Sequence, residues 1–432
     1  MSPRARVVVV IGGGASGVLT AHQILRQAGS PVRVRVVEPR AALGRGVAFA
    51  TTRPHHLLDT RAGALGALPG RPEGFAEWAR HRDAVGHDDF LPRSWYGEYL
   101  ATLVGEAEHV RSEAVDILPE GPGARVVLAN GSTLDGDRVV LAPGASPPRW
   151  PAPLRGRGRR WIGDPWARGA LAGLRPTDPV LLVGTGLTAV DAVLDLGAAG
   201  HEEIVAVSRH GFLPLAHDVV PSGPRDLEPP TDPSLATLVA WSRRAASRAG
   251  DWRPVVDALG PRADRLWGAL SEAEQRRFLR HLRRRWEVAR HRMAPAVAAR
   301  IDELRSSGRL TVVAGGVWAA RSGWRGVDVH LADRRIRVGA VVNCSGPAPF
   351  VRWSHNHLVR ELLASRVVRP GPLGLGLESG PDGSIPGSDG RLWLVGPLRR
   401  GTRWEVTAVP EIGEQAAALP GVLWPTGAPV GV

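Results

Sequence analysis

The sequence predicts an α/β fold made of two units, each built around a parallel β-sheet, with a helical segment inserted in the second. Two observations carry this prediction. A strand, a glycine-rich turn and a helix follow one another near the N-terminus, and the same order returns after about residue 165. Strands that alternate with helices in this way form parallel sheets, because each return to the sheet needs a crossover connection.

The first unit opens with a strand at 6–11, where the sequence reads RVVVVI. A helix is predicted at 17–28, after the turn, and an alternating strand at 32–37 ends on Glu38. A further buried strand, VVLAPG at 139–144, leads into a tight turn. Continuous apolar runs of this length are typical of strands that are covered on both faces.

The second unit repeats this order. Its predicted elements are a strand at 180–183, a helix at about 187–198, a strand at 204–207, a helical segment at 234–306 that is rich in Trp and Arg, and strands at 310–314, 327–331 and 340–344. The segment VVNCSG at 341–346 has the same pattern as VVLAPG. A loop at 370–390, a strand at 391–396 and a helix from about Ile412 complete the chain.

The two turns share the spacing Gly-x-Gly-x-x-Gly/Ala, with Gly12, Gly14 and Gly17 in the first and Gly184, Gly186 and Ala189 in the second. In this pattern the first glycine permits the sharp turn, and the second lets the backbone approach a pyrophosphate. The third residue must be small so that the helix packs on the strand. The spacing alone is common in a chain with 53 glycines, so the prediction of nucleotide binding depends on the strand before each turn and the helix after it.

The residues that end the second strand of each unit predict different nucleotides. Glu38 places a carboxylate where it can accept both hydroxyls of an unphosphorylated adenosine ribose, which suits FAD or NAD. Ser208, Arg209 and His210 offer a hydroxyl, a guanidinium and an imidazole, which suit the 2′-phosphate of NADP. The alternative for Arg209 is an ordinary surface charge. One chain that binds both nucleotides has the arrangement of a flavoprotein that NADPH reduces.

These observations predict two Rossmann-like dinucleotide-binding domains, the first interrupted by the second. We expect an FAD-binding domain over 1–165 and 340–432. An NADPH-binding domain is expected over 166–339, and it contains the helical segment at about 234–306.

Composition excludes several classes of function. Cys344 is the single cysteine, which excludes a disulfide framework, a redox-active cysteine pair and a cysteine-rich metal site. Lysine is absent, so all 55 basic residues are Arg and a Schiff-base lysine is excluded. No apolar run is long enough for a membrane span and no signal-peptide cleavage site follows the N-terminal valines, so we expect a cytoplasmic protein. The net charge of +13 comes from scattered arginines, and no nucleic-acid partner is expected.

Several longer segments resemble a known family. They are IGGGASG at 11–17, LGRGVAFATTRPHHLLD at 43–59, WYGEYL at 95–100, VLLVGTGLTAVD at 180–191, AVSRHGFLP at 206–214, FLRHLRRRWEVARHRM at 278–293, VVNCSG at 341–346 and VGPLRRGTRWEVTAVPEIGEQA at 395–416. With them the chain resembles the bacterial FAD/NAD(P)-binding flavoproteins related to the N-hydroxylating, flavin-containing (class B) monooxygenases.

Together, the glycine turns and the resemblance give a set of expected cofactor-binding residues. For FAD these are Gly12, Gly14, Ala15, Ser16, Gly17, Glu38, Arg45, Gly46, His56, Asp59, Ala142, Gly144, Gly346, Gly396, Glu411 and Ile412. Within this set the resemblance implies that Arg45, Gly46, His56 and Asp59 lie beside the isoalloxazine, and that Gly396, Glu411 and Ile412 face the ribityl chain and the pyrimidine ring. For NADPH the expected residues are Gly184, Thr185, Gly186, Thr188, Ser208, Arg209 and His210.

The resemblance implies an NADPH-dependent FAD monooxygenase that oxygenates an amine or amino-acid nitrogen through a flavin C4a-hydroperoxide. Its partners would be O2 and a small-molecule amine, and a homo-oligomer stays open. The cofactor would carry the chemistry, so no catalytic side chain is assigned, and the histidines have no metal-ligand spacing in the sequence. Two alternatives stay open: an NADPH-dependent flavin oxidoreductase without oxygen transfer, and a non-catalytic flavin-binding module whose interaction surface is the segment at 234–306.

Overall fold

The computed structural model describes residues 5–28, 31–152, 154, 156, 158–219, 227–231, 233–348 and 350–424. The strands are β1 (Arg6–Ile11), β2 (Val32–Val37), β3 (Glu108–Val110), β4 (Ala114–Glu120), β5 (Gly123–Leu128), β6 (Thr133–Gly136), β7 (Arg138–Leu141), β8 (Trp161–Ile162), β9 (Val180–Val183), β10 (Ile204–Ser208), β11 (Leu310–Ala314), β12 (Val317–Gly323), β13 (Gly326–Leu331), β14 (Arg335–Val338), β15 (Ala340–Asn343) and β16 (Leu392–Leu394). The α-helices are α1 (Ala15–Gln27), α2 (Gly74–Arg80), α3 (Arg93–Thr102), α4 (Leu187–Ala198), α5 (Leu235–Ala249), α6 (Arg253–Leu259), α7 (Ala263–Ala269), α8 (Glu272–His281), α9 (Arg283–Arg290), α10 (Pro295–Ser306), α11 (His357–Ala364) and α12 (Val409–Leu423).

The first sheet has the strand order β16-β7-β1-β2-β3, and all its pairs are parallel. Its central strand β1 has an apolar run because both of its faces are covered. Val8 and Val10 pack into a cluster with α1 and α12. Val9 and Ile11 pack into the opposite cluster, with residues of β4, β5 and α11. The carboxyl end of β1 therefore delivers the first glycine turn from a rigid, fully buried strand.

The second sheet has the order β11-β10-β9-β15-β8 and is also parallel. Here β9 is the strand that precedes the glycine turn, and all four of its residues are buried. The helix that follows the turn, α4, packs with α10 on one face of this sheet. The two units thus repeat the same strand–turn–helix arrangement, as the sequence predicts.

The second sheet includes two strands that lie outside the predicted NADPH-binding domain at 166–339. Strand β8 at 161–162 and strand β15 at 340–343 are both paired into the second sheet. The expected division at 165/166 and 339/340 instead assigns them to the FAD-binding domain. Strand β15 pairs with β9 along its whole length, and β16 is the strand with which the chain returns to the first sheet.

The small antiparallel sheets are not predicted in full from the sequence. Strands β4, β5 and β6 form one of them, and β12, β13 and β14 form the other. In each sheet the first strand carries a register shift, between Ala114 and Asp116 and between Val317 and Ala319. Such a bulge interrupts the alternation of apolar and polar residues by which a half-buried strand is recognised. Helices α2, α3 and α11 are also absent from the sequence prediction.

Helices α5 to α10 confirm that the segment at 234–306 is helical, and part of it packs against the loop after β16. The rings of Trp267 and Trp404 lie 4.7 Å apart, and Phe278 meets Trp404 edge-on. The indole nitrogen of Trp267 donates to the carbonyl of Gly401 at 2.9 Å. The helical segment therefore joins the second unit to the C-terminal part of the first. In the described part of the chain, no helix has the length and apolar character needed to cross a bilayer.

Candidate functional site

The first glycine turn is built so that the chain can reverse beside the neighbouring strand. Gly12 has a φ of +105°, which an L side chain rarely adopts, and a Cβ there would overlap the carbonyl oxygen of Ala142 at the end of β7. A Cβ at Gly17 would overlap the carbonyl oxygen of Gly12. Gly14 is the N-cap of α1, and within the described part of the chain no side chain accepts from the first N–H groups of the helix.

Glu38 lies beside this turn, as the sequence predicts. Its side chain is buried, and its two carboxylate oxygens accept hydrogen bonds from the backbone N–H of Gly13 at 2.9 Å and of Arg40 at 3.0 Å. These bonds fix the orientation of the carboxylate and leave each oxygen a further lone pair. A ribose with two free hydroxyls matches that geometry.

The segment after β2 and the end of β16 close around the same turn. The backbone N–H of Gly44 donates to the carbonyl of Gly13 at 2.8 Å, and a Cβ at Gly14 would lie 3.4 Å from the Cα of Gly46. The buried Nε of Arg45 has no hydrogen-bond partner within the described part of the chain. A buried cationic donor that lacks an acceptor fits an anionic ligand.

Gly396 approaches the turn from the opposite side. Its N–H donates to Gln415 Oε1 at 3.0 Å, and a Cβ there would overlap the hydroxyl of Ser16. The structure thus brings together, around one turn, most of the residues expected for FAD: Gly12, Gly14, Ala15, Ser16, Gly17, Glu38, Arg45, Gly46, Ala142, Gly144 and Gly396.

The second glycine turn repeats the construction of the first. Gly184 has a φ of +122°, and a Cβ there would overlap the carbonyl oxygen of Cys344 at the end of β15. Gly186 is the N-cap of α4, again without a side-chain cap, and Thr188 lies in the first turn of that helix. Cys344 thus has the same position here as Ala142 in the first unit. Gly346, expected beside FAD, follows this strand between two residues that contact the 148–149 segment, Ser345 and Pro347, and its contact with FAD stays a prediction.

At the carboxyl end of β10, Ser208 makes an internal contact with Thr185, and the next two side chains, Arg209 and His210, are exposed. The hydroxyls of Thr185 and Ser208 are 2.7 Å apart, and Thr185 donates to the carbonyl of Phe212 at 2.7 Å. The Ser208 hydroxyl is therefore used to hold the turn against β10. Arg209 and His210 are exposed, so their polar groups are free to meet a phosphate from solvent.

The sequence does not predict that Arg284 of α9 contacts the second turn. Its Nη2 donates to the carbonyl of Thr185 at 3.1 Å, to the Thr185 hydroxyl at 3.2 Å and to the carbonyl of Phe212 at 2.6 Å. Burial lowers the pKa of its guanidinium. The sequence separates Arg284 from Thr185 by 99 residues, and no local pattern connects them.

Asp59 and Glu411 are also expected to bind FAD, and both contact side chains at the C-terminal end of α9. Glu411 Oε1 lies 3.6 Å from Arg290 Nη2, and Asp59 Oδ2 lies 3.8 Å from the Nδ1 of His291. Burial raises the pKa of Glu411, against the smaller opposing effect of Arg290. Burial also acts to raise the pKa of Asp59, but the hydrogen bond and charge of His291, with the charge of Arg290, outweigh it and lower that pKa. The result is a cluster of alternating acidic and basic groups.

Ile412 and His56 are both buried, and their expected contacts with FAD stay a prediction. Ile412 is buried in the core between α12 and the first sheet. His56 is buried against α4: its Nε2 lies 3.3 Å from Asp195 Oδ1, and its Nδ1 lies 2.8 Å from the hydroxyl of Thr51. Both ring nitrogens are thus engaged in joining the 51–59 segment to the second unit.

His55 completes this contact, because its Nε2 donates to the same oxygen of Asp195 at 2.8 Å. The three ligand atoms of His55, His56 and Asp195 lie within 4.8 Å of one another, a spacing suited to a metal ion that the linear sequence does not reveal. Arg53 Nε is 3.4 Å from the same carboxylate oxygen, so a cationic group already neutralises it. Burial acts to raise the pKa of Asp195, but the hydrogen bonds from His56 and His55 outweigh it and lower that pKa.

Residues 9–146 match the FAD-NAD(P)-binding family model. The matched region contains the first glycine turn, Glu38 and the strand end at Ala142. No curated protein matches the chain by sequence.

Solved structures match the chain over nearly its whole length. The ornithine N-hydroxylase of Kutzneria sp. 744, solved with reduced FAD, NADP+ and L-ornithine, is 14% identical with a TM-score of 0.66, and the match covers 97% of this chain and 99% of that one. The L-lysine 6-monooxygenase of Pseudomonas syringae is 17% identical with a TM-score of 0.65, covering 96% and 98%. The cadaverine monooxygenase of Erwinia amylovora, solved bound to FAD, is 13% identical with a TM-score of 0.67, covering 98% and 95%. The chain has the fold of the two-domain FAD/NADP flavoproteins.

Proposed function

We propose that this protein is an NADPH-dependent FAD monooxygenase that hydroxylates the nitrogen of an amine or amino acid. The observation that carries the proposal is the pair of glycine turns, each with an uncapped helix N-terminus and a strand-end carbonyl packed on its first glycine. Two sites of this kind in one chain suit a reaction in which one nucleotide reduces the other. The resemblance of the fold to amine N-hydroxylases over the whole chain supports the choice of reaction.

The residues of the first turn fit FAD. Glu38 would bind the adenosine ribose, the N-terminus of α1 would face the pyrophosphate, and the unpaired Nε of Arg45 would gain an acceptor. When bound, the flavin supplies hydride acceptance and the activation of O2, which protein side chains cannot provide. The protein's task is then to hold the two nucleotides in register and to keep water from the reacting atoms.

Arg209 and His210 favour NADPH over NADH at the second turn. Both are exposed at the end of β10, where NAD-binding proteins carry a carboxylate that would repel a 2′-phosphate. The guanidinium of Arg209 can bind a phosphate through two parallel hydrogen bonds. We therefore assign the 2′-phosphate to these two residues.

The cluster of Asp59, His291, Arg290 and Glu411 supports a charged, amino-acid-like substrate. Its carboxylates and cationic groups alternate, so an ammonium group and a carboxylate on one small molecule would both find partners. Burial raises the pKa of Glu411, so this carboxyl holds its proton to a higher pH than an ordinary glutamate.

The test measures oxygen transfer and NADPH use together. FAD-loaded protein is mixed with NADPH and a panel of ornithine, lysine, cadaverine and other primary amines, and NADPH oxidation, hydrogen peroxide release and hydroxylamine product are recorded. One amine should accelerate NADPH oxidation, suppress peroxide and yield hydroxylamine in equal amount. NADPH oxidation without product from any amine would favour an oxidoreductase that transfers no oxygen, and no oxidation at all would favour a non-catalytic flavin-binding module.

A further inference from the structure

Helix α9 touches both halves of the molecule within eight residues. At its N-terminal end Arg284 contacts the second glycine turn. On the side of the first unit, Trp286 Nε1 donates to Glu405 Oε1 at 3.1 Å, and Arg290 lies 3.6 Å from Glu411. A ligand that binds at the second turn and holds Arg284 would therefore act on the helix that also borders the flavin side.

The guanidinium of Arg284 is only partly used by the protein. Nη2 makes all three of its hydrogen bonds to the turn. Nη1 lies 3.8 Å from the position of a Cβ on Gly186, at the N-terminus of α4, and within the described part of the chain it donates to no protein acceptor. Its N–H groups therefore remain available beside the helix end that would bind a pyrophosphate.

Guanidinium groups outnumber carboxylates around Arg284 in the described part of the chain. Glu287 lies beside Arg284, with Oε2 at 3.9 Å from Nη1, but Arg283 and Arg400 approach the same side chain at 3.4 Å and 3.9 Å. Glu287 is thus shared by three guanidinium groups, of which Arg400 also has the charge of Glu405 nearby, and burial lowers the pKa of Arg400 as it does that of Arg284. A pyrophosphate would supply the missing negative charge.

We propose that Arg284 is a ligand of the pyrophosphate of the nicotinamide nucleotide. Nη2 anchors the side chain to Thr185 and Phe212, and Nη1 completes the phosphate site that the N-terminus of α4 begins. The inference rests on the proposed function and deepens it: the nucleotide site includes α9 and does not consist of the glycine turn alone.

The experiment compares FAD-loaded Arg284→Gln and Arg284→Lys with the wild type, and uses Arg285→Gln as the matched control. Arg285 is the adjacent arginine and is exposed. Its guanidinium lies 5.9 Å from the centre of the Phe212 ring but, among the described residues, donates no hydrogen bond to the turn, so its replacement removes the same charge and leaves those hydrogen bonds in place. Calorimetric titrations with NADP+ and with NAD+ should show both affinities about ten- to a hundredfold weaker in Arg284→Gln, because both nucleotides contain the pyrophosphate. Arg284→Lys should fall between, since a lysine keeps the charge and loses the fork geometry. Arg285→Gln should match the wild type.

The ionic-strength dependence of binding separates a phosphate ligand from a structural tether. Loss of a charge–phosphate contact should make the NADP+ affinity of Arg284→Gln less sensitive to salt. A role in tethering α9 would instead lower the melting temperature and leave the salt dependence unchanged, which would overturn the inference. A loss confined to NADP+ would also overturn it, because it would place Arg284 at the 2′-phosphate.

The inference and the proposed function fail in different ways. Wild-type protein that binds both nucleotides, with Arg284→Gln binding them equally well, would refute the inference alone. Wild-type protein that binds neither nucleotide would refute the proposed function and the inference with it.

Discussion

Alanine substitutions at Gly12 and Gly14 should separate the folding of the first unit from flavin binding. Gly12 needs a φ of +105°, and a Cβ there would overlap the Ala142 carbonyl. Gly14 has a φ of −75°, which any residue adopts, and its Cβ would meet the Gly46 Cα at 3.4 Å, an ordinary contact. Of these two positions, therefore, only Gly12 has to be a glycine when no nucleotide is bound.

The expected magnitudes follow from these contacts. A strained backbone conformation costs about 1–3 kcal/mol, and an overpacked core site a further ~1–3 kcal/mol, so Gly12→Ala should destabilise the flavin-free protein by about 2–6 kcal/mol. Gly14→Ala should cost less than about 1 kcal/mol in the same state. Its methyl group lies where the backbone must approach the pyrophosphate, so the affinity for FAD should fall strongly.

The assay uses flavin-free protein of both variants. Thermal unfolding reports the effect on folding, and titration with FAD, followed by quenching of flavin fluorescence, reports the effect on binding. Gly14→Ala should unfold near the wild-type temperature and bind FAD weakly, and Gly12→Ala should unfold at a clearly lower temperature. The reasoning is refuted if Gly14→Ala binds FAD as tightly as the wild type, or if the two variants lose equal stability without FAD.

Three further predictions concern single charged groups. Arg209→Ala should raise the KM for NADPH about tenfold or more and leave that for NADH unchanged, measured as initial rates with both donors; equal effects would remove the 2′-phosphate assignment. Asp195→Asn should lower stability by about 1 kcal/mol at pH 7. Because the pKa of Asp195 is lowered on folding, this stabilisation is present above the unfolded-state pKa and lost as the pH falls through the folded one; denaturant titrations at several pH values should show the two proteins converge in acid. Glu411→Gln tests a pKa that folding raises instead of lowers. The free energy of unfolding of the wild type should therefore decline relative to that of the variant as the pH rises through the pKa of Glu411 in the folded protein. A difference in unfolding free energy that does not change with pH would contradict the burial of Glu411.

The sequence predicts best what neighbouring residues determine together. The bounds of β2, β9, α4 and β11 agree with the prediction, because a short apolar strand or a helix that opens at a glycine turn is recognisable in the local pattern. The position of Glu38 follows from the length of one strand–helix–strand unit. Boundaries are less accurate: α1 begins at Ala15 and α12 at Val409, earlier than predicted, because the first helical turn carries no distinctive apolar pattern.

Contacts between distant segments are what the sequence leaves out. The segment of His56 resembles flavin-lining loops, but the sequence does not predict the contact of His56 with Asp195, more than 130 positions further along the chain. Arg284 reaches Thr185 from the helical segment in the same way. Each of these side chains lies in a stretch rich in similar residues, so nothing in its immediate neighbours indicates which one will be buried at the other unit.

The similarity of VVLAPG and VVNCSG reflects a shared structural role. Each segment ends a strand whose carbonyl oxygen, from Ala142 or Cys344, packs on the first glycine of a nucleotide turn. The sequence shows that the two segments have the same role, but it cannot show which turn each one serves. Pairing β15 with β9 assigns the carbonyl of Cys344 to the second turn, and the chain returns to the first unit with α11, β16 and α12. Each turn thus takes its strand-end carbonyl from its own sheet. Any coupling between the two nucleotide sites has to pass through elements that contact both units, which directs attention to α9 and to the His55–His56–Asp195 contact rather than to the glycine turns.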